Sequence, residues 1–304
     1  MNELVLNAPA KVNLMLDVGE KRADGFHEVS MILQAVELFD RVCLKRTEEE
    51  GITLLVEAPA PEGLANEDNL MVRAAKLLFD LFSLSGGIEM RLQKCIPVAA
   101  GLGGGSSDAA AVLFGMNLIY DLSLETDELE KIGSILGSDV PFFFRGGTEL
   151  AKGRGEVLFP LPDIGHQPLV LVTPDRSVST AEIYGMMDEL PPYVHPDTEA
   201  VASRIMNGET KDLPFENVME NVTSSILPEI GQIKDVLLKE GAKRVLMSGS
   251  GPTVFGIFET EKEAENALIR AENAFPDAAA AKTHTFPYGI MVPDGFSEEK
   301  QWKN

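Results

Sequence analysis

Apolar positions along the first third of the chain gather in runs of strand character. LVLNAPAKVNLMLDV, EVSMILQAVEL, RVCLKR and ITLLVEA are rich in Val, Ile and Leu and are bounded by Gly, Asp or Pro, which predicts a β-rich beginning. From Asp68 the period changes. Leu70, Met71, Ala74, Leu77, Leu78 and Leu81 recur at spacings of three and four behind an Asn/Asp cluster, predicting an amphipathic helix. A Gly86-Gly87 turn and a further strand, IEMRLQKCIPV, then lead straight into a glycine loop. The second half reads as a strand (LVLVTP), a helix from about Ser179, a Pro-rich loop (LPPYVHPD), a polar helical stretch and a helix over 229–240 closed by Gly241. Two short strands about a glycine turn in KRVLMSGSGPTVFGIFE and a charged helix, EKEAENALIRAENAF, follow. Helices alternating with hairpin-like strands predict an α+β protein of two-layer sandwich type. The Gly- and Pro-rich text at 151–168 lacks a helical period and places a domain boundary, giving a first domain over 1–158 and a second over 159–304. The polar tail SEEKQWKN reads as solvated surface.

Composition narrows the partners. The 304 residues are 44% hydrophobic and 24% charged, ordinary globular usage that excludes a disordered chain. Lys and Arg number 26 against 48 Asp and Glu, a net charge of -22 that argues against nucleic acid as a partner. An anionic ligand must therefore be held by a local device, such as backbone N–H groups or one placed Lys. The two cysteines, Cys43 and Cys95, sit in apolar segments without CxxC spacing, so neither a disulfide framework nor a zinc site is expected and a reduced, cytoplasmic setting fits. No run approaches the roughly 18 apolar residues of a membrane span and no basic stretch opens the chain, so neither membrane nor targeting is expected.

One segment meets the demand for a local anion device. In PVAAGLGGGSSD, residues 97–108, a strand, a glycine loop and a helix follow one another directly. Gly101, Gly103, Gly104 and Gly105 permit positive φ and close backbone approach, and a helix beginning near Ser107 adds its partial positive end. Ser106 and Ser107 can donate to phosphate or ligate magnesium, while Asp108 is suited to capping the helix. The segment is neither a Walker A loop nor a GxGxxG motif. Four further groups stand out. Lys11 and Asn13 lie two apart on the first strand and share a face, a pattern that an ordinary half-solvated strand also gives. Asp139 precedes the apolar run Val140 to Phe144 and suits either a cleft-side carboxylate or a cap. Asp24 to Glu28 forms a turn bearing Phe26 and His27, and Met247 to Thr253 is a second glycine loop that either lines the same cleft or is a plain hairpin turn.

The ordered set PAKVNL, DGFHEV, PVAAGLGGGSSDAA, GSDVPFF and LMSGSGPTVFGIF resembles the GHMP kinases, from Ala8 to about Phe258. The resemblance implies a two-domain fold, a ribosomal-S5-like ATP-binding domain followed by a ferredoxin-like domain, with ATP and Mg2+ as cofactors. It implies ATP over Pro97, Val98, Ala99, Ala100, Gly101, Leu102, Gly103, Gly104, Gly105, Ser106 and Ser107. It further implies Asp139 and Lys11 as catalytic residues and Asn13 as a substrate-positioning residue. PAKVNL, DGFHEV and GSDVPFF, with STAEIY at 179–184, resemble members whose acceptor is a cytidine-diphosphate-linked polyol, phosphorylated on a hydroxyl. In those members His27 would contact the cytosine and Phe26 and Tyr184 would flank its two faces. Another GHMP kinase acting on homoserine or mevalonate, or a non-catalytic metabolite sensor on the same scaffold, are the competing readings.

Overall fold

The computed structural model describes residues 2–191 and 193–293; Pro192 of the Pro-rich loop and the polar tail lie outside the described residues. β1 (Glu3–Lys21) and β2 (His27–Thr47) pair antiparallel along nearly their whole length. EVSMILQAVEL and RVCLKR, two strands by sequence, thus form one. Asp40 between them does not break it, because its buried carboxylate accepts the backbone N–H groups of Cys95 and Ile96 at 2.6 and 2.8 Å. β3 (Gly51–Glu57), α1 (Leu70–Phe82) and β4 (Gly87–Gln93) make a parallel βαβ crossover. β4 ends at Gln93, short of the predicted strand, since Lys94 turns inward and the next two N–H groups go to Asp40. α1 buries Met71, Ala74, Ala75 and Leu78, whereas Leu81 at the end of the predicted stripe is exposed.

α2 (Gly104–Ile119), α3 (Thr126–Leu136) and the short α4 (Phe142–Arg145) precede β5 (Thr148–Lys152) and β6 (Val157–Leu161). β2 carries β1 on one side and, on the other, β4 beside its second half and β5 beside its first, with β6 at the far edge. α2 is apolar around most of its circumference and buried against this sheet, as an interior helix should be. A Cβ on its Gly115 would stand 2.3 Å from the Leu44 side chain, so glycine permits the close approach.

The second half comprises β7 (Pro168–Thr173), α5 (Thr180–Asp188), α6 (Thr198–Met206), α7 (Glu220–Ile226), α8 (Glu229–Lys239), β8 (Arg244–Met247), β9 (Val254–Ile257), α9 (Glu261–Ala274) and β10 (Ala279–His284). Its antiparallel sheet runs β10-β7-β9-β8, the fourth, first, third and second strands of this half. That is the ferredoxin-like βαββαβ order, with α5 to α8 occupying the first crossover. The expected division at 158 falls inside β6. After β10 the chain returns to the first sheet: Phe286 donates its N–H to the Ala35 carbonyl at 2.8 Å, Ile290 to Phe143 at 2.9 Å, and Asn7 pairs with Met291.

Candidate active site

A cavity of about 940 Å3 opens between the two sheets, lined by β1, the glycine loop, the turn before α4, α5 and the second glycine loop. Pro97 to Gly101 and Gly103 to Ser106 face it. Leu102 and Ser107 do not. Leu102 is buried in the apolar cluster beneath, its carbonyl accepting the Lys11 N–H at 2.9 Å, and Ser107 is fully buried with its hydroxyl unpartnered. α2 starts at Gly104, earlier than expected. Gly103, left-handed at φ 72°, turns the chain, and its carbonyl already accepts the Ser107 N–H at 2.9 Å. Ser106 and Ser107 consequently lie in the first turn, whose free N–H groups are anion donors.

Asp108 is not the cap. Its carboxylate pairs with Lys94 Nζ at 2.8 Å, and Lys94 also binds Asp40, so two buried carboxylates share one ammonium beneath the loop. Burial pushes Asp108 up to about 8, outweighing the Lys94 attraction; Lys94 is itself raised, its burial overcome by Asp108 and Asp40. This group braces the glycine loop from below, a Cβ on Gly104 standing 2.8 Å from Lys94 Nζ.

Lys11 and Asn13 do share a face, but the strand is not half-solvated: positions 11 to 14 are all buried. Lys11 Nζ donates to Asn13 Oδ1 at 2.6 Å and stands 3.8 Å from Asp139 Oδ2. Burial lowers the Lys11 pKa, and the Asp139 charge partly restores it. The Asp139 side chain, a third exposed, reaches the cavity from the turn before α4. The second glycine loop closes the group from the opposite sheet. Ser248 Oγ accepts the Asn13 N–H at 3.2 Å and donates to the Gly101 carbonyl at 2.9 Å, and Thr253 N–H reaches Ala100 O at 3.3 Å. The loop is thus a wall of the same cleft.

At the far end His27 stacks on Tyr184, ring centroids 5.0 Å apart at 18°. Burial, with the nearby Asp139 charge, pushes the Tyr184 phenol up to about 12. Phe26 is half exposed beneath the Arg154 guanidinium, 4.9 Å above its ring. All four side chains line the cavity, and Tyr184 faces His27 rather than Phe26. His27 Nε2 bonds Asp188 Oδ1 at 2.6 Å, and Lys21 donates to the other oxygen at 2.7 Å. Sequence reasoning missed Asp188, Arg154, Lys94 and Asp40. Only Arg154, between two glycines, carried a local signal.

A family model described as GHMP kinases N terminal domain matches residues 69–147, and one described as GHMP kinases C terminal matches residues 199–277. A curated relative from Listeria innocua, 4-diphosphocytidyl-2-C-methyl-D-erythritol kinase, is 43% identical over 266 residues, 86% of this chain and 90% of the relative. The chain belongs to the GHMP kinases. A GHMP kinase of the same name from Geobacillus kaustophilus is 45% identical over 84% of this chain and 88% of its own length. A crystal structure of 4-(cytidine 5'-diphospho)-2C-methyl-D-erythritol kinase superposes with a TM-score of 0.76 at 33% identity, covering 93% of this chain and 100% of that one. A homoserine kinase from Cytophaga hutchinsonii superposes at 0.72 with 18% identity, covering 96% of this chain and 98% of that one, which speaks for the fold alone. This GHMP kinase is an ATP-dependent small-molecule kinase.

Proposed function

We propose that the protein transfers the γ-phosphoryl group of ATP to the 2-hydroxyl of 4-diphosphocytidyl-2-C-methyl-D-erythritol. The observation that carries this is the Lys11–Asp139 pair at 3.8 Å, set between a glycine loop at one end of the cleft and an aromatic and histidine pocket at the other. The backbone N–H groups of 101–106 hold the nucleotide phosphates, compensating locally for the acidic chain. Asp139 takes the proton of the acceptor hydroxyl as its oxygen bonds the γ-phosphorus and the bond to the ADP oxygen breaks. Lys11, whose ammonium form Asp139 favours against the larger effect of burial, faces the charge on the transferring group, and Asn13 accepts its hydrogen bond at 2.6 Å. Phe26, His27 and Tyr184 receive the cytidine portion.

Oxygen donors of the kind Mg2+ takes stand beside the loop: Ser106 and Asp108 line the cavity, and Asp108 Oδ1 is buried without a partner. Bound with the nucleotide, the ion would supply positive charge at the β- and γ-oxygens. A cytoplasmic setting belongs to the same reading, supported by two free cysteines; among the described residues no helix is long and apolar enough to cross a membrane. The His27–Tyr184 stack favours a nucleobase-bearing acceptor over homoserine or mevalonate. ADP release measured side by side with the three acceptors should show turnover with the cytidylated one alone, and turnover of homoserine or mevalonate instead would overturn the assignment.

A further inference from the structure

We propose that Glu37, His166 and His284 form a binding site for one borderline divalent cation of the zinc class, remote from the catalytic cleft. Glu37 lies on β2, His166 on the link between β6 and β7, and His284 at the end of β10. One ligand atom from each falls within 4.8 Å of the others, the group of this kind found among the described residues. Glu37 Oε1 stands 3.4 Å from His166 Nε2, and Oε2 stands 3.4 Å from His284 Nδ1. None of the three lines the cleft.

The surroundings of His284 are those of a prepared ligand. Its Nε2 bonds Glu261 Oε1 at 2.5 Å, and Lys282 Nζ holds the other Glu261 oxygen at 3.1 Å. With the ring proton on Nε2 and donated to that carboxylate, the Nδ1 lone pair is turned toward Glu37, the outer support that metal-bound imidazoles ordinarily carry. Two imidazoles and one carboxylate suit Zn2+, Co2+ or Ni2+ rather than Mg2+, and a water completes a tetrahedron. The His166 and His284 rings are stacked at 4.1 Å and 10°. A metal ion lies in the plane of each imidazole it binds, so both cannot stay parallel. His166, whose side chain is 59% exposed, is the one free to turn. Binding would join β2 of the first sheet to β10 of the second through the link that connects the two.

Titrating the full chain with Zn2+ by calorimetry, in excess Mg2+ to occupy its many surface carboxylates, should give one site. Co2+ should give the intense visible absorption of a four-coordinate ion. His166→Ala and His284→Ala should each abolish that band, and Glu261→Gln should weaken Zn2+ binding roughly 10- to 100-fold. His166→Ala carries the test if His284→Ala fails to fold, and it should leave the kinase rate unchanged. Equal affinity in the parent and His166→Ala, or a Zn2+ site lost with Cys95→Ser, would overturn the proposal.

Discussion

Replacing Asp139 by Asn keeps the shape of the side chain and removes its charge. At 3.8 Å from Lys11 Nζ, a carboxylate stabilises the ammonium by about 4 kcal/mol at an effective dielectric of ~20 and about 1 kcal/mol in bulk water. Because a third of the Asp139 side chain meets solvent, the contribution lies between these limits. Two effects should follow together. Loss of the proton acceptor lowers kcat by roughly 100- to 10,000-fold while the KM for ATP, set by the loop, stays put. Loss of the charge leaves burial unopposed at Lys11, so the ammonium surrenders its proton at a lower pH than in the parent. The alkaline fall of the residual rate therefore moves toward neutrality. Coupled ADP-release assays across the pH range, run on parent and variant, read both quantities. A kcat within threefold of the parent, or an unmoved alkaline limb, would show that Asp139 merely caps a turn.

Three further outcomes are expected. Gly101→Ala places a Cβ 2.1 Å from the Ser248 carbonyl in a left-handed residue, so the two glycine loops must part. The KM for ATP, measured at saturating acceptor, should rise at least about tenfold given roughly 1–3 kcal/mol of such strain. Methylerythritol phosphate without the cytidylyl group should be a poor substrate, and Tyr184→Ala should raise the acceptor KM several-fold without moving that for ATP, since stacking contributes roughly 0.5–1.5 kcal/mol; comparable kcat/KM for the two acceptors would refute this. Glu149, buried on β5, is raised by that burial from 4.5 to about 7. The folded state thus holds its proton more tightly than the unfolded one, and stability falls as pH rises through that window. Urea unfolding should find Glu149→Gln more stable than the parent by up to about 3 kcal/mol at about pH 8, with the difference gone near pH 4.

What could be read from the chain alone was what is local. The glycine loop stands out within a dozen residues because backbone freedom is a short-range property, whereas Lys11 with Asn13 and Asp139 fitted a plain strand and a cap equally well until the family resemblance singled them out. The ferredoxin-like second half was expected from the family resemblance alone, and its edge strand β10, an alanine-rich segment without a strong apolar alternation, was not foreseen. Nor was the bracing of the loop: Lys94 reads as strand text, and its partners Asp40 and Asp108 lie 54 and 14 residues away. Leu102 and Ser107 belong to the same motif as their neighbours, yet local twist turns them inward, which composition cannot show. Asp188 lies 161 residues from His27, and nothing in either neighbourhood foretells the pairing. The stacking of His27 on Tyr184 likewise had no local signal, since the two rings lie far apart in the chain.

The return of residues 285–291 to the first sheet sets an order of events during translation. Ribosomes deliver the glycine loop and the Asp139 turn long before Phe286 and Ile290, and those late arrivals bond Ala35 on β2 and Phe143 in α4. In sequence order, both sheets and every cleft-lining residue precede these contacts. A Cβ on Gly289 would stand 2.2 Å from the Phe143 carbonyl, so the late segment fits there like a bolt cut to one slot. The helix that follows Asp139 thus takes its closing hydrogen bond from a segment synthesised well over a hundred residues after it.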